Sequence, residues 1–214
     1  MKHTVIFGGT GGIGSKLFEY FHDEKRDTLS AIGTSACNLR NYDHTREFIN
    51  NLNADNLIIL SALNINGMLH KQTINNITEQ IEVNITGILN LISAALTNMR
   101  FNKYGRIILA SSIIEEVTQP GTSIYSSCKG FYETLVKNIA KENAALNITA
   151  NCIKFGYMDA GMIYTQVPDN LRETIRKTIP SETFGPIEQV FNLCRTIIDN
   201  DYINGATIRM AGGL

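Results

Sequence analysis

The sequence predicts an α/β fold: one doubly wound parallel sheet, layered with helices on both faces, in a single domain spanning residues 1–214. Three observations carry this. Short β-branched and apolar runs alternate with longer stretches of helical periodicity along the whole chain, the pattern of strand–helix–strand units. The first run, Thr4-Val5-Ile6-Phe7, leads straight into Gly8-Gly9-Thr10-Gly11-Gly12-Ile13-Gly14, then into a segment with Leu17, Phe18 and Phe21 on one helical face. Finally, 214 residues, 43% hydrophobic and 18% charged, suffice for one α/β domain with a full core.

The opening unit is a phosphate site in outline. Glycines at 8, 12 and 14 let the backbone approach a pyrophosphate, and the helix N-terminus supplies N–H groups and the positive end of its dipole. A second strand is expected over 29–34. An acidic residue at its tip would bind an adenosine 2′-hydroxyl and repel a 2′-phosphate. The tip reads Gly33-Thr34-Ser35-Ala36, without Asp or Glu, so Thr34 and Ser35 tolerate a phosphate that Arg40 or Lys16 could neutralise. This favours NADP(H) over NAD(H).

Residues 37–39 read as a very short third strand. Too few residues precede it for a crossover helix, so the helix between the second and third strands is expected to be missing. A helix over 43–52 follows, with Asp43 as N-cap, then a buried strand over 56–60 ending in Ser61-Ala62-Leu63-Asn64. A long helix is expected over 74–99, with Ile77, Ile81, Ile85, Ile88, Leu89 and Ile92 as its apolar stripe. A strand over 106–110, a helix over 123–145 and a strand over 147–153 come next, the last running into Phe155-Gly156-Tyr157-Met158-Asp159. The segment at about 157–185 has few strand signals and prolines at 168 and 180; it reads as a mobile substrate loop with one short helix near Asp169–Thr178. A helix over 186–199, with proline in its first turn, and a strand over 206–210 close the chain.

Composition excludes several classes. A net charge of −1 offers no basic field for nucleic acid or an anionic membrane surface. No apolar run is long enough to span a bilayer. The strand-like start leaves no room for a signal peptide, and the cysteines at 37, 128, 152 and 194 lack Cys-x-x-Cys spacing and read as reduced thiols, so a cytoplasmic protein is expected. The four histidines show no ligand spacing, and no metal site is expected.

The chemistry is expected around Ser112, Tyr125 and Lys129. Tyr125 and Lys129, four residues apart, share one helix face. A neighbouring ammonium favours a phenolate, so Lys129 is expected to lower the Tyr125 pKa, letting the phenol exchange a proton with a substrate oxygen. Ser112 lies where a buried strand meets its loop, the end at which ligands collect. A Tyr and a Lys at this spacing decorate many helices; the glycine loop gives the pair its weight.

With the glycine loop, Asn84, Ser112, Tyr125 and Lys129 in this order and register, the chain resembles the short-chain dehydrogenase/reductase family over essentially its whole length. The ending Asn204-Gly205-Ala206-Thr207-Ile208-Arg209-Met210 resembles that family's closing strand. The resemblance implies a Rossmann-like fold with Tyr125 as catalytic acid/base and Ser112 polarising the substrate carbonyl. Lys129 would bind the nicotinamide ribose and tune Tyr125, and Asn84 would anchor a relay water. It places Gly8, Gly12, Ile13 and Gly14 at the pyrophosphate, Thr34, Ser35, Asn38, Leu39, Ser61 and Ala62 along the adenosine half, and the Met158 backbone at the nicotinamide amide. The chain departs from the family pattern at Phe7, Asn38, Ser61–Asn64, Phe155 and Ala160, which suggests a shortened, divergent member.

The resemblance further implies an NADPH-dependent reductase of a ketone, closest in look to 3-oxoacyl-carrier-protein reductases, acting on a small-molecule or carrier-bound carbonyl substrate and assembling as a homodimer or homotetramer. The competing expectations are an NAD-dependent alcohol dehydrogenase and a non-catalytic sensor of nicotinamide ratio; the retention of all four catalytic-type residues argues against the sensor.

Overall fold

The computed structural model describes residues 1–214. The chain runs β1 (His3–Phe7), α1 (Gly12–Glu24), β2 (Thr28–Ile32), α2 (Tyr42–Leu52), β3 (Asn56–Ile59), α3 (Ile74–Ile81), α4 (Ile88–Asn102), β4 (Gly105–Ser112), α5 (Ile114–Val117), α6 (Ser123–Asn143), β5 (Ile148–Phe155), α7 (Met162–Thr165), α8 (Asp169–Thr178), α9 (Ile187–Asp199) and β6 (Thr207–Met210). The six strands form one parallel, Rossmann-like sheet in the order β2-β1-β3-β4-β5-β6. The chain steps outward from β1 to β2, then returns to set β3 on the other flank of β1. That reversal opens a crevice at the C-terminal ends of β1 and β3.

Strand alternation builds two cores. Val5, Phe7, Leu57, Ile59, Ile107 and Leu109 pack with Ile49 of α2, Leu91 and Ile92 of α4, and Tyr132 and Val136 of α6. Ile6, Ile58, Ile108 and Ile153 pack instead with Leu17 and Phe21 of α1 and Val190 and Cys194 of α9. Both faces are covered, which is why these strands read as unbroken apolar runs.

The expected third strand at 37–39 does not form. Turns carry the chain from β2 directly into α2, and β2 is the sheet edge. Cys37 and Leu39 are buried in the first core, so their alternation with Asn38 reflects two plugs in a loop. The strand is therefore absent along with the helix that would precede it. Asn41, rather than Asp43, caps α2, its Oδ1 accepting the His44 N–H at 3.2 Å. The single helix expected over 74–99 is divided: one π turn, Glu82–Gly87, joins α3 to α4. A Cβ on Gly87 would lie 2.7 Å from the Leu39 carbonyl oxygen, so this turn seats the helix against the shortened β2–α2 connection. Residues 157–185, expected to hold one helix, hold α7 and α8 and a parallel bridge between Met158 and Gly185.

Candidate active site

The C-terminal rim of the sheet gathers the residues singled out in the sequence. Gly8 follows β1, Ser61 and Ala62 follow β3, Ser112 ends β4 and Met158 follows β5, and these four strands are consecutive in the sheet. Gly8 has φ +80°, and a Cβ there would lie 2.7 Å from the Ser61 nitrogen, so only glycine lets the β1–α1 turn abut the end of β3. Helix α1 has neither a capping side chain nor an acidic residue in its first turn. The N–H groups of Gly12, Ile13 and Gly14 thus form an unopposed anion site. Across from them, the Met158–Gly185 bridge uses the Tyr157 carbonyl and the Asp159 N–H, each at 2.9 Å from its Gly185 partner. It does not use Met158's own N–H and C=O, which can pair with an amide. An uncapped helix end, a turn with no room for a Cβ and a spare peptide group together fit a nicotinamide dinucleotide.

The residues expected at an adenosine depart from the sequence reading. Thr34, Ser35 and Asn38 are exposed, and the Asn38 Oδ1 accepts the Arg40 N–H at 3.0 Å. Arg40 pairs with Glu82 at 2.9 Å and Glu79 at 3.0 Å. Lys16 donates to the Asp159 carbonyl at 3.1 Å. Both cations expected to serve a 2′-phosphate therefore have other partners. Leu39 is buried in the core beneath this rim.

At the other end, two hydrogen bonds staple α6 to β4: Ser111 Oγ donates to the Lys129 carbonyl at 2.9 Å, and Lys129 Nζ donates to the Ala110 carbonyl at 2.7 Å. They hold the first turns of α6, with Tyr125, beside Ser112. Ser112 Oγ accepts the Ile114 N–H at 3.2 Å and so keeps its own hydrogen to donate. Asn84 sits in the π turn and is fully buried. Its side chain clasps Leu63, accepting from the N–H at 2.9 Å and donating to the carbonyl at 2.7 Å. Its own carbonyl accepts from Tyr132 Oη at 2.7 Å. Tyr132 was not foreseen as a site residue, yet it stands seven residues beyond Tyr125, on the same face of one helix.

The electrostatics correct one expectation. The Tyr125 pKa is raised, not lowered: burial disfavours the phenolate, and Cys128 and Glu115 add to the effect. Lys129, drawn to the Ala110 carbonyl, has its Nζ 5.6 Å from the centre of the Tyr125 ring. Burial pulls the Lys129 ammonium down to about 8, against opposing contributions from Cys152, Cys128 and Glu115. In this state the two residues are a neutral phenol and a weakened cation.

Residues 28–214 match the family model described as enoyl-(acyl carrier protein) reductase. The chain belongs to the short-chain dehydrogenase/reductase family. It is an NAD(P)-dependent oxidoreductase, in keeping with its relatives. Nodulation protein G of Rhizobium sp. (strain N33) is 25% identical over 100% of this chain and 96% of its own length. The 3-oxoacyl-[acyl-carrier-protein] reductase FabG of Rickettsia bellii (strain RML369-C) is 26% identical over 99% of this chain and 95% of its own. The acetoacetyl-CoA reductase of Rhizobium meliloti (strain 1021) is 33% identical over 74% of this chain and 67% of its own. Among solved structures, the fold matches the 3-oxoacyl-[acyl-carrier protein] reductase from Brucella melitensis with a TM-score of 0.87 at 19% identity, covering 100% of this chain and 91% of that one. A variant of ElxO with NADPH bound matches with a TM-score of 0.86 at 20% identity, covering 99% and 98%. As in the sequence reading, this short-chain dehydrogenase/reductase has no helix long and apolar enough to cross a membrane, and its four cysteines are all buried and free.

Proposed function

We propose that the chain reduces a ketone, a 3-oxoacyl thioester on a carrier or coenzyme, with NADPH. One observation carries the reading: Ser112, the end of α6 with Tyr125 and Lys129, the uncapped N-terminus of α1 and the spare Met158 peptide all meet the same rim of the sheet. The reductases among the relatives support the substrate class, and the NADPH-bound neighbour supports the cofactor.

When bound, the nicotinamide supplies the hydride that reaches the carbonyl carbon. Gly12, Ile13 and Gly14 N–H groups hold the pyrophosphate, and the Met158 peptide orients the amide. Thr34, Ser35, Asn38, Ser61 and Ala62 border the adenosine half, with the Leu39 side chain packed in the core beneath them. Ser112 Oγ donates its free hydrogen to the substrate oxygen. Tyr125 Oη gives the proton to that oxygen; a phenol held neutral by burial keeps its proton at neutral pH, and an alkoxide is basic enough to take it. Lys129, balanced near 8, can turn from Ala110 to the ribose and return a proton to the phenolate. The second lone pair of the Asn84 carbonyl is left for a water on that route. Four free thiols suit a reducing, cytoplasmic compartment.

The test is oxidation of NADPH and of NADH, followed by absorbance, with 3-oxoacyl thioesters, simple ketones and aldehydes. The reading expects turnover on the thioesters with NADPH preferred. Turnover confined to alcohol oxidation with NAD⁺, or none on any carbonyl, would overturn it.

A further inference from the structure

Behind the proposed catalytic pair lies a charge cluster that the reaction as described does not use. Lys154, on β5 opposite Ser111 of β4, is 4% exposed. Its Nζ lies 2.6 Å from Glu115 and 2.6 Å from Glu116, both on α5, and contacts Glu133 of α6. Arg209 of β6, paired with Lys154 in the sheet, reaches the other oxygen of Glu116 at 2.9 Å. Three carboxyl groups thus face two cations.

Its placement ties it to the site. Tyr125, Lys129 and Glu133 occur at successive four-residue steps along α6, so they descend one face with the cluster one turn beyond Lys129. Helix α5 begins two residues after Ser112 and is held down by its carboxylates on Lys154. Gly130 of α6 lies against Glu115: a Cβ there would stand 3.7 Å from the Glu115 Cγ. The cluster therefore joins the turn that carries Ser112 to the helix that carries Tyr125.

We infer that the Lys154–Glu115–Glu133 cluster positions the Ser112 turn against α6 and holds Lys129 in its ammonium form. This rests on the catalytic reading of Tyr125 and Lys129 given above. Facing Lys129 are Tyr125, Cys128 and Tyr132 of α6, Cys152 of β5 and Glu115 of α5, while Lys154 and Glu133 act through Glu115. Burial raises the Cys152 thiol to about 11 and raises that of Cys128 as well, so both are uncharged near neutrality. Tyr125 and Tyr132 are raised by burial and neutral too. Of the groups that oppose the burial of Lys129, the anion is Glu115, whose own rise through burial is countered by Lys154. Lys154 pairs with that carboxylate and favours its ionised form. These are positioning residues, acting through Lys129 and the Ser112 turn.

The test reads Lys129 directly, with no cofactor or substrate. The Lys129 Cε resonance, identified by its loss in Lys129→Met, is titrated in ¹³C-lysine-labelled protein. Glu115→Gln should lower its midpoint by about half a pH unit or more, since it removes the anion, whereas Lys154→Arg, which keeps the counter-charge of Glu115, should leave it at the wild-type value. An unmoved midpoint in Glu115→Gln, or an equal shift in Lys154→Arg as general loosening would give, overturns the inference. Tyr125→Phe kinetics judge the underlying reading separately: full activity in that variant sinks the reading, whatever the titration shows.

Discussion

Lys129 shows how burial and function compete at a single residue. It is 2% exposed, and its ammonium has one carbonyl partner, so water is replaced by little. Its pKa is drawn from 10.5 to about 8 by that desolvation. Below pH 8 the folded protein bears a buried cation. Between about 8 and 10.5 the unfolded chain binds more protons than the folded one, so stability rises with pH across that window. The cost is fully present at pH 7 and gone above the unfolded value. Lys129→Met removes it. The stability of the wild type relative to Lys129→Met should therefore improve between pH 7 and pH 10, by on the order of 1–3 kcal/mol. Urea denaturation of both proteins at each pH measures it, and a pH-independent difference would contradict an unfavourable buried charge. Tyr125 shows the same desolvation with the opposite sign, as an acid is made weaker. The sequence supplied the pair and its spacing; it could not supply the direction in which Lys129 points, which the Ala110 carbonyl decides.

The π turn between α3 and α4 is the element that arranges the loops over the site. It places Asn84 where its amide locks Leu63, while Gln80 of α3, also fully buried, accepts from the Ile65 N–H at 3.1 Å. Two amides thus hold the 63–65 loop that follows β3. Tyr132 closes the arrangement by donating to the Asn84 carbonyl. Tyr132→Phe keeps the ring in the core and leaves that carbonyl with one partner fewer. It should cost about 1 kcal/mol of stability, lowering the thermal midpoint while leaving NADPH affinity within about twofold. An unchanged midpoint would mean water replaces the hydroxyl without loss. Much at this scale was legible in the sequence. Helix α8 is found at the expected Asp169–Thr178, and the sheet is the parallel one that alternating strands and helices predict. The false third strand at 37–39 arose because two buried loop residues imitate period-two alternation. The π turn has no sequence period of its own. The Lys154 cluster had a signal that went unread: a lysine inside the buried strand Ile148–Phe155 requires counter-charges, and Glu115, Glu116 and Glu133 supply them.

At the scale of the whole molecule, one parallel sheet puts every strand's C-terminal end at the same rim, and that alone brings residues from positions 8 to 158 together. The outer surfaces of the helices on the α4–α6 side retain exposed apolar groups, Leu89, Phe101 and Phe131 among them. A homodimer or homotetramer is proposed to cover them, isologous pairing being the commonest closed arrangement. Sedimentation at micromolar concentration should show a multiple of the 23.7 kDa chain, and a lone 23.7 kDa species would contradict it. The central claim is that this rim is a reductase site in which Tyr125 delivers the proton, and Tyr125→Phe tests it most directly. Ring packing is kept and only the donor is removed. With a 3-oxoacyl thioester, kcat should fall by about 10²–10⁴-fold, while NADPH affinity, measured by nicotinamide fluorescence, stays close to wild type. Turnover retained within a few-fold of wild type would contradict the account.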